Sequence, residues 1–455
     1  MRRWARLVTS HPRIVTALVI FAIAASGLWG AAVLDRLNLA GYTDPASESA
    51  LVETLIRQRY GRQTPDVVVI YTAPAGKTLE DIREPVVERI SRTDSRFLAK
   101  PVESYWTSVP ALRDAMVSAD HRKALVVLTL TGDENQRLHT FESVATNFEI
   151  PGIQTRFAGF TATTRGYNEE STRDLLRVES IAIPLTSALL IVVFGGLVAA
   201  AVPVCVGAAT VLGSLAALRV LSYLTDVSGF AVNMATLLGL GMAVDYGLLM
   251  VSRFREELRT GYAASDAARR TMCTAGRTVL LSALLLAGGF AGMTVFRLAM
   301  VRSLGYGAIA AVAIAALLSL TVVPAVLALL GPRVNALAWR RGAVQRGEIR
   351  AYRFWGRLAV RVAARPVTSA VGILAALGIA AVPIAGIEIG GFDMTGLPSD
   401  NPARVAQEVL TKEFPLANNG ATLIVRAEGG AVPADAWPRS VTRFGRRPVS
   451  LRCSS

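Results

Sequence analysis

Seven stretches of the chain are apolar on every side, with neither a helical stripe nor a strand alternation. Each is near the ~20 residues a membrane-crossing helix needs. They fall at about 14–34, 177–196, 200–222, 229–251, 275–296, 304–330 and 367–387. A helix that is hydrophobic all round must face lipid or the inside of a bundle. The pattern predicts an α-helical multi-pass membrane protein with about seven transmembrane helices. Between the first two runs the rhythm changes. PDVVVIYT (65–72), VESYWTS (102–108), ALVVLTLTG (124–132) and GIQTRFAGF (152–160) read as strands. KTLEDIREPVVERISR (77–92) and NQRLHTFESVATNF (135–148) read as amphipathic helices. That β-α-β-β-α-β order is the ferredoxin-like split motif, so residues 35–176 are expected to fold as an α+β domain outside the membrane.

The chain then divides as follows. Residues 14–34 form transmembrane helix 1, 35–176 the external domain, 177–330 helices 2–6, 331–366 a basic linker and 367–387 helix 7. An internal echo extends the pattern. HPRIVTALVIFAIAASGLWGAAV near the start matches RPVTSAVGILAALGIAAVPIAGI at 365–387, and TDPASESALVETLIRQRYG (43–61) is echoed by GLPSDNPARVAQEVLTKEFP (396–415). DVVVIYTAPAG (66–76) is echoed by ATLIVRAEGG (421–430), so a second domain begins over 388–431. From Val432 the echo stops, and 432–455 reads as an unstructured or frameshifted tail rich in Arg, Pro and Ser. The expectation is a truncated or frameshifted first half of a two-repeat protein; the alternative is a natural short form with a disordered tail.

Composition agrees with the membrane reading. Of 455 residues 52% are hydrophobic and 18% charged, below the quarter charged typical of soluble domains. The net charge of +14 raises nucleic-acid binding, but the excess flanks the apolar runs and no zinc spacing, RNP sequence or helix-turn-helix pattern accompanies it. No nucleic-acid partner is expected. Arg2, Arg3 and Arg6 precede the first run, Arg253 to Arg277 follow the fourth and Arg333 to Arg365 follow the sixth. If every run crosses, these loops share one side, which the positive-inside rule makes cytoplasmic. The N-terminus is then cytoplasmic and the 35–176 domain extracytoplasmic, in a cell (inner or plasma) membrane. The first run is long and lacks a small-x-small cleavage site, so it reads as a retained signal anchor. Cys205, Cys273 and Cys453 form no CxxC pair, and His11, His121 and His139 are scattered, so neither a metal site nor a cofactor is expected.

The candidate chemistry lies in LLGLGMAVDYGLLMVSRF (237–254), where Asp245 sits well inside an apolar run. A charge there costs roughly 2.5–3.5 kcal/mol on insertion scales, so an intramembrane acid marks a functional site by default. Removal from water favours the neutral form of a carboxyl, so such a group can load and release a proton. Leu238, Gly241 and Ser252 share its helix face, and Tyr246 points about 100° away. Gly241 and Gly247 are expected to let a neighbouring helix approach. On the fifth run Thr278 and Ser282 stand four apart and are candidate relay partners. The other reading is a structural Asp bonded to a Ser, Thr or Arg of another span.

These residues carry a resemblance. GLGMAVDYGLLMVSRFREEL (239–258) resembles the fourth-helix signature of the mycobacterial membrane protein large (MMPL) family, the lipid-exporting branch of the resistance-nodulation-division (RND) superfamily. TAGRTVLLSA (274–283) resembles its fifth-helix motif, and TDPASESA (43–50) the segment after its first helix. The resemblance covers about 430 residues. It implies proton-driven export of lipid or glycolipid through twelve helices and two external porter domains, with a coupling Asp-Tyr pair in each half. Asp245 and Tyr246 match the first pair. The implied partners are a lipid substrate, the bilayer, and a complementary second-half chain or further copies of this one.

AGKT (75–78) follows a strand as a P-loop would, but GxxxxGK[ST] needs glycine where this chain has Tyr71. With three histidines and no Ser-His-Asp set, no enzyme is expected. Glu256 and Glu257 beside Arg253 read as a solvated helix with i,i+4 pairs. Besides a transporter, a non-transporting remnant or membrane scaffold stays open, as does a sterol-sensing-like receptor.

Overall fold

The computed structural model of the protein describes all residues except 34–36, 38–43, 45, 63, 337–342, 387–393 and 415–455. The echo strand at 421–430, most of the second domain expected over 388–431 and the tail at 432–455 therefore lie outside the described residues. From the N-terminus, α1 (Arg2–Ser10) buries Ala5, Val8 and Thr9 on one side and exposes Trp4 and Leu7 on the other. It breaks at His11 (φ −127°, ψ 59°), because Pro12 disfavours helical geometry in the residue before it. α2 (Pro12–Ala31) follows as the first spanning-type helix.

Next come α3 (Glu48–Tyr60), N-capped by Ser47, then β1 (Val67–Thr72), α4 (Arg83–Arg92), β2 (Glu103–Ser104), the single turn α5 (Pro110–Arg113), β3 (Lys123–Leu128), α6 (Glu134–Phe148) and β4 (Gln154–Ala158). The chain continues through α7 (Phe160–Phe194), α8 (Leu197–Leu221), α9 (Phe230–Arg259), α10 (Ala264–Cys273), α11 (Ala275–Ala291) and α12 (Ala299–Leu330). It ends its described part with α13 (Ala343–Ala364), α14 (Pro366–Ala381) and α15 (Pro402–Glu413). The sequence echo has a geometric counterpart. α13 breaks before Pro366 at Arg365, with φ −137° and ψ 67°, much as α1 breaks before Pro12.

Two compact units emerge: residues 1–45 with 168–393, and residues 46–167 with 394 onward. In the first, among the described residues, seven helices are long and apolar enough to cross a membrane. The protein is a multi-pass membrane protein. α12 is the hub and packs against α2, α8, α9, α10 and α11. Its contact surface is small-residue packing, with Ala308, Ala311, Ala315 and Ala316 buried. Such close contact holds helices together where lipid tails remove the hydrophobic drive. Buried hydroxyls turn back on their own helices, as Thr210 does to the Val206 carbonyl (2.8 Å) and Ser214 to that of Thr210 (2.7 Å). α14 has no buried residue among those described.

Two helices outrun the apolar runs. α7 starts at Phe160, not near 177, because TTRGYNEESTRDLLR contains no proline and its single Gly166 is tolerated within the helix. α9 continues through its basic end to Arg259. Polarity sets the membrane edge of a helix; capping and breakers set its end.

In the second unit, β1 pairs antiparallel with both β3 and β4, and β2 with β3, giving the order β2-β3-β1-β4. Alternate side chains face opposite sides. Val67, Val69, Tyr71, Val126 and Leu128 pack with Val86 of α4 and with Phe141, Val144 and Phe148 of α6. The Tyr71 hydroxyl donates to the Phe148 carbonyl at 2.7 Å. On the other face Val68, Ile70 and Leu125 meet Ala406, Leu410 and Phe414, so α15 covers it. Lys123 fixes that helix by pairing with Glu413 at 2.5 Å.

Strand two is shorter than the expected 102–108. After Ser104 the chain curls, with Thr107 N–H (3.1 Å) and Ser108 N–H (2.9 Å) donating to the Ser104 carbonyl. Trp106 is thereby buried, its indole N–H donating to Leu79 O at 3.1 Å. The helix expected from residue 77 begins at Arg83. Asp81 accepts from the Thr78 N–H at 2.7 Å and holds the preceding segment as a turn.

Candidate functional site

Asp245 and Tyr246 lie midway along α9, and the helix aims them differently. Tyr246 points into the bundle and is 4% exposed, beside Ala243, Met250 and the residues of α12. Asp245 is exposed, together with Gly241 and Ser252 on its own face. The alternative reading of a structural Asp bonded to a Ser, Thr or Arg of another span finds no such bond among the described residues. This face of α9 is turned away from its neighbours α8 and α12. Among the described residues Asp245 makes neither an ion pair nor a hydrogen bond.

The Tyr246 hydroxyl is buried without a hydrogen bond of full geometry. Ser282 of α11 is the polar side chain beside that hydroxyl. The structure thus brings this candidate relay residue beside Tyr246. Thr278, one turn earlier on α11, is exposed and its hydroxyl makes no hydrogen bond among the described residues.

The two glycines separate. A Cβ on Gly247 would stand 2.8 Å from Pro203 Cβ and 3.0 Å from Pro203 Cα, so Gly247 is where α8 and α9 meet closely. A Cβ on Gly241 would meet nothing within 4 Å. Among the described residues no other helix packs against Gly241, which lies four residues before Asp245 on the same face. Pro203 opposite Gly247 was not foreseen; an intrahelical proline aligned with a glycine on the next run is the signal that would have found it.

Beyond this site α9 ends in a tight charge cluster. Arg253 pairs with Glu256 at 2.5 Å and with Glu257 at 2.6 Å. Arg255 donates to the Phe194 carbonyl at 2.9 Å. Glu257 is 5% exposed, so the expectation of a wholly solvated helix is corrected at that residue. The AGKT segment is a turn whose Thr78 N–H and hydroxyl are both taken by the Asp81 carboxylate, an arrangement that would repel a phosphate. Among the described residues no group of His, Cys, Asp and Glu is placed to hold a metal ion. An apolar cavity of about 240 Å³ between α2, α8 and α12 is lined by neither Asp245 nor Tyr246.

An apolar helical bundle with a carboxylate set within one of its spans defines a polytopic membrane protein. More specifically, the chain belongs to the MMPL family, which it matches over residues 43–369. It is 32% identical to the trehalose monomycolate exporter MmpL3 of Mycobacterium tuberculosis, over 95% of this chain and 49% of that protein. The MmpL3 of Mycolicibacterium smegmatis is likewise 32% identical, over 95% of this chain and 46% of that protein. The mycolic acid-containing lipids exporter MmpL11 of M. smegmatis is 29% identical, over 84% of this chain and 39% of that protein. The chain spans about half the length of the curated relatives it matches.

Proposed function

We propose that this chain acts in proton-motive-force-driven export of lipid or glycolipid across the inner membrane. Asp245 carries the proton and Tyr246, with Ser282 beside it, supports the transfer. The observation that carries this reading is the pairing on α9: an unpaired carboxylate inside an apolar span, next to a buried tyrosine hydroxyl lacking a full hydrogen bond. Each proton moved down the field supplies about 2.3 kcal/mol per 100 mV. Thr278 would extend the relay toward the start of α11. The names of the relatives make a mycolate-bearing glycolipid such as trehalose monomycolate the first cargo to try.

In this reading the N-terminus is cytoplasmic and the second unit is an extracytoplasmic porter domain of ferredoxin-like type. Its antiparallel β2-β3-β1-β4 sheet with two connecting helices supports that assignment. The uncovered face bearing Asp245 and Gly241 would meet a complementary half or a second copy, in keeping with the greater length of the relatives.

The test is Asp245→Asn in the product of the native gene, reconstituted in proteoliposomes with an imposed proton gradient. Intact mass, 48.4 kDa or greater, decides first whether a complementary chain must be added. Loss of gradient-dependent lipid export with normal insertion is expected. Export unchanged by the substitution would sink the proposal and leave a structural role for the residue.

A further inference from the structure

Four arginines converge where α1 meets α10. Arg2 and Arg6, one turn apart on α1, and Arg269 and Arg270 on α10 line a cavity of about 260 Å³ whose wall also holds Cys273. The two helices pack directly together, so the convergence is fixed by the fold. Arg269 reaches an exposed Asp266 at 3.1 Å, and the Arg270 guanidinium stacks on the Tyr262 ring at 3.8 Å. Arg2, Arg6 and Arg270 have no carboxylate partner among the described residues, and the lining contains no acid. Like charges brought together repel unless something neutralises them. Guanidinium forks match the oxygens of a phosphate.

The cavity also lies at a boundary. α1 leads into the first spanning helix at Pro12, and α10 joins the end of α9 to the start of α11, so both lie at one end of the bundle. α1 exposes Trp4 and Leu7, and tryptophan concentrates at membrane interfaces. Basic pockets beside spanning helices at this level suit anionic head groups.

We propose that the Arg2–Arg6–Arg269–Arg270 cavity is a binding site for a phosphate group at the membrane boundary. The lipid head group is the source its position favours, and soluble phosphate is the other source of the same chemistry. The site stands apart from Asp245 and does not depend on the export reading.

Cys273 provides the readout. The full chain, with Cys205→Ala and Cys453→Ala, is placed in phosphatidylcholine nanodiscs, and alkylation of Cys273 by N-ethylmaleimide is timed. One sample contains added phosphatidylglycerol and another only added inorganic phosphate. Each is repeated in Arg6→Gln, in Arg269→Gln on the opposite wall, and in Arg3→Gln, which removes the same charge from α1 outside the cavity. The expected result is slower alkylation with phosphatidylglycerol, with protection weakened about fivefold by Arg6→Gln or Arg269→Gln and kept by Arg3→Gln. The same pattern with inorganic phosphate alone supports the site and makes the soluble anion its ligand. Absence of protection by either probe overturns the proposal. So does protection that Arg3→Gln and Arg6→Gln alter equally, which would be bulk surface charge.

Discussion

Trp4 supplies the hydrogen bond that Pro324 withholds from its own helix. Proline has no N–H to give the carbonyl four residues back, and in α12 that carbonyl belongs to Leu320. The indole Nε1 of Trp4 donates to it at 3.1 Å, from 316 positions away in sequence. A bare carbonyl in an apolar bundle is costly. The contact therefore ties α1 to the hub helix at the point where the hub's own ladder is broken.

A double-mutant cycle isolates this bond. Trp4→Phe keeps a ring and removes the donor, and should cost about 1 kcal/mol in unfolding free energy. With Pro324→Ala the helix regains its own N–H, so the same Trp4→Phe change should then cost close to nothing. The measurement is the detergent unfolding midpoint of the four purified chains. Equal costs in both backgrounds would mean that the indole packs without bonding.

Gly247 and Gly241, six positions apart on α9, should respond oppositely to alanine. At Gly247 the new methyl meets Pro203 backbone as well as its ring, so α8 must give way, at about 1–3 kcal/mol. At Gly241 nothing stands within 4 Å, and the helix should gain about 0.8–1 kcal/mol from alanine's propensity. Thermal stability of the two variants in one detergent separates them. A comparable loss at both would show that the Asp245 face is covered in solution.

What the sequence made legible follows from which forces are local. The spans showed in their apolar runs because every residue of PRIVTALVIFAIAASGLWGA reports the same solvent. The strands showed in their β-branched clusters, and Asp245 because a carboxylate among leucines has no local excuse. Strand two misled because VESYWTS has strand propensity, yet Trp106 gains more by burying its ring and bonding to Leu79, a partner the local sequence does not reveal. The side of α9 on which Asp245 is open could not be read either. Spacing groups it with Gly241 and Ser252, but only the packing of α8 and α12 decides which face is covered. The Trp4 bond and the arginine cavity depend on chain segments hundreds of residues apart, and no window of sequence contains both partners.

α15 should be integral to the sheet unit although it follows the seventh apolar run. Leu410, 8% exposed, sits among Ala406, Phe414 and the sheet residues Ile70 and Leu125. Leu410→Ala should cost about 2–4 kcal/mol. Glu413→Gln, which removes the charge paired with Lys123, should cost less than that because Glu413 is 34% exposed in its side chain. Limited proteolysis of the full chain reads both: cleavage within 46–167 should accelerate strongly for the first variant and slightly for the second. Unchanged protection of those residues in Leu410→Ala would mean that the sheet stands without its second cover.

Glu134 makes the sheet unit less stable as pH rises. It opens α6 behind the Asp133 cap, and its Oε1 is buried without a hydrogen bond among the described residues. Burial pushes its carboxyl above the usual glutamate range, chiefly by desolvation; the charges of Glu53 and Asp133 add to this, and those of Arg137 and Arg62 oppose it. The folded state therefore holds this proton more tightly than the unfolded chain does. Stability is greatest while the carboxyl is protonated and falls as pH climbs from the unfolded value of about 4.3 through the higher folded one. Glu134→Gln keeps the shape and cannot ionise. At pH 7 the variant should melt above the wild type, and the gap should close as pH falls well below the unfolded value of about 4.3, where both side chains are neutral. Thermal scans of the full chain across that range test it. A gap that keeps its size, or a variant that melts lower at pH 7, would mean that Arg137 and Arg62 outweigh the desolvation of the carboxylate.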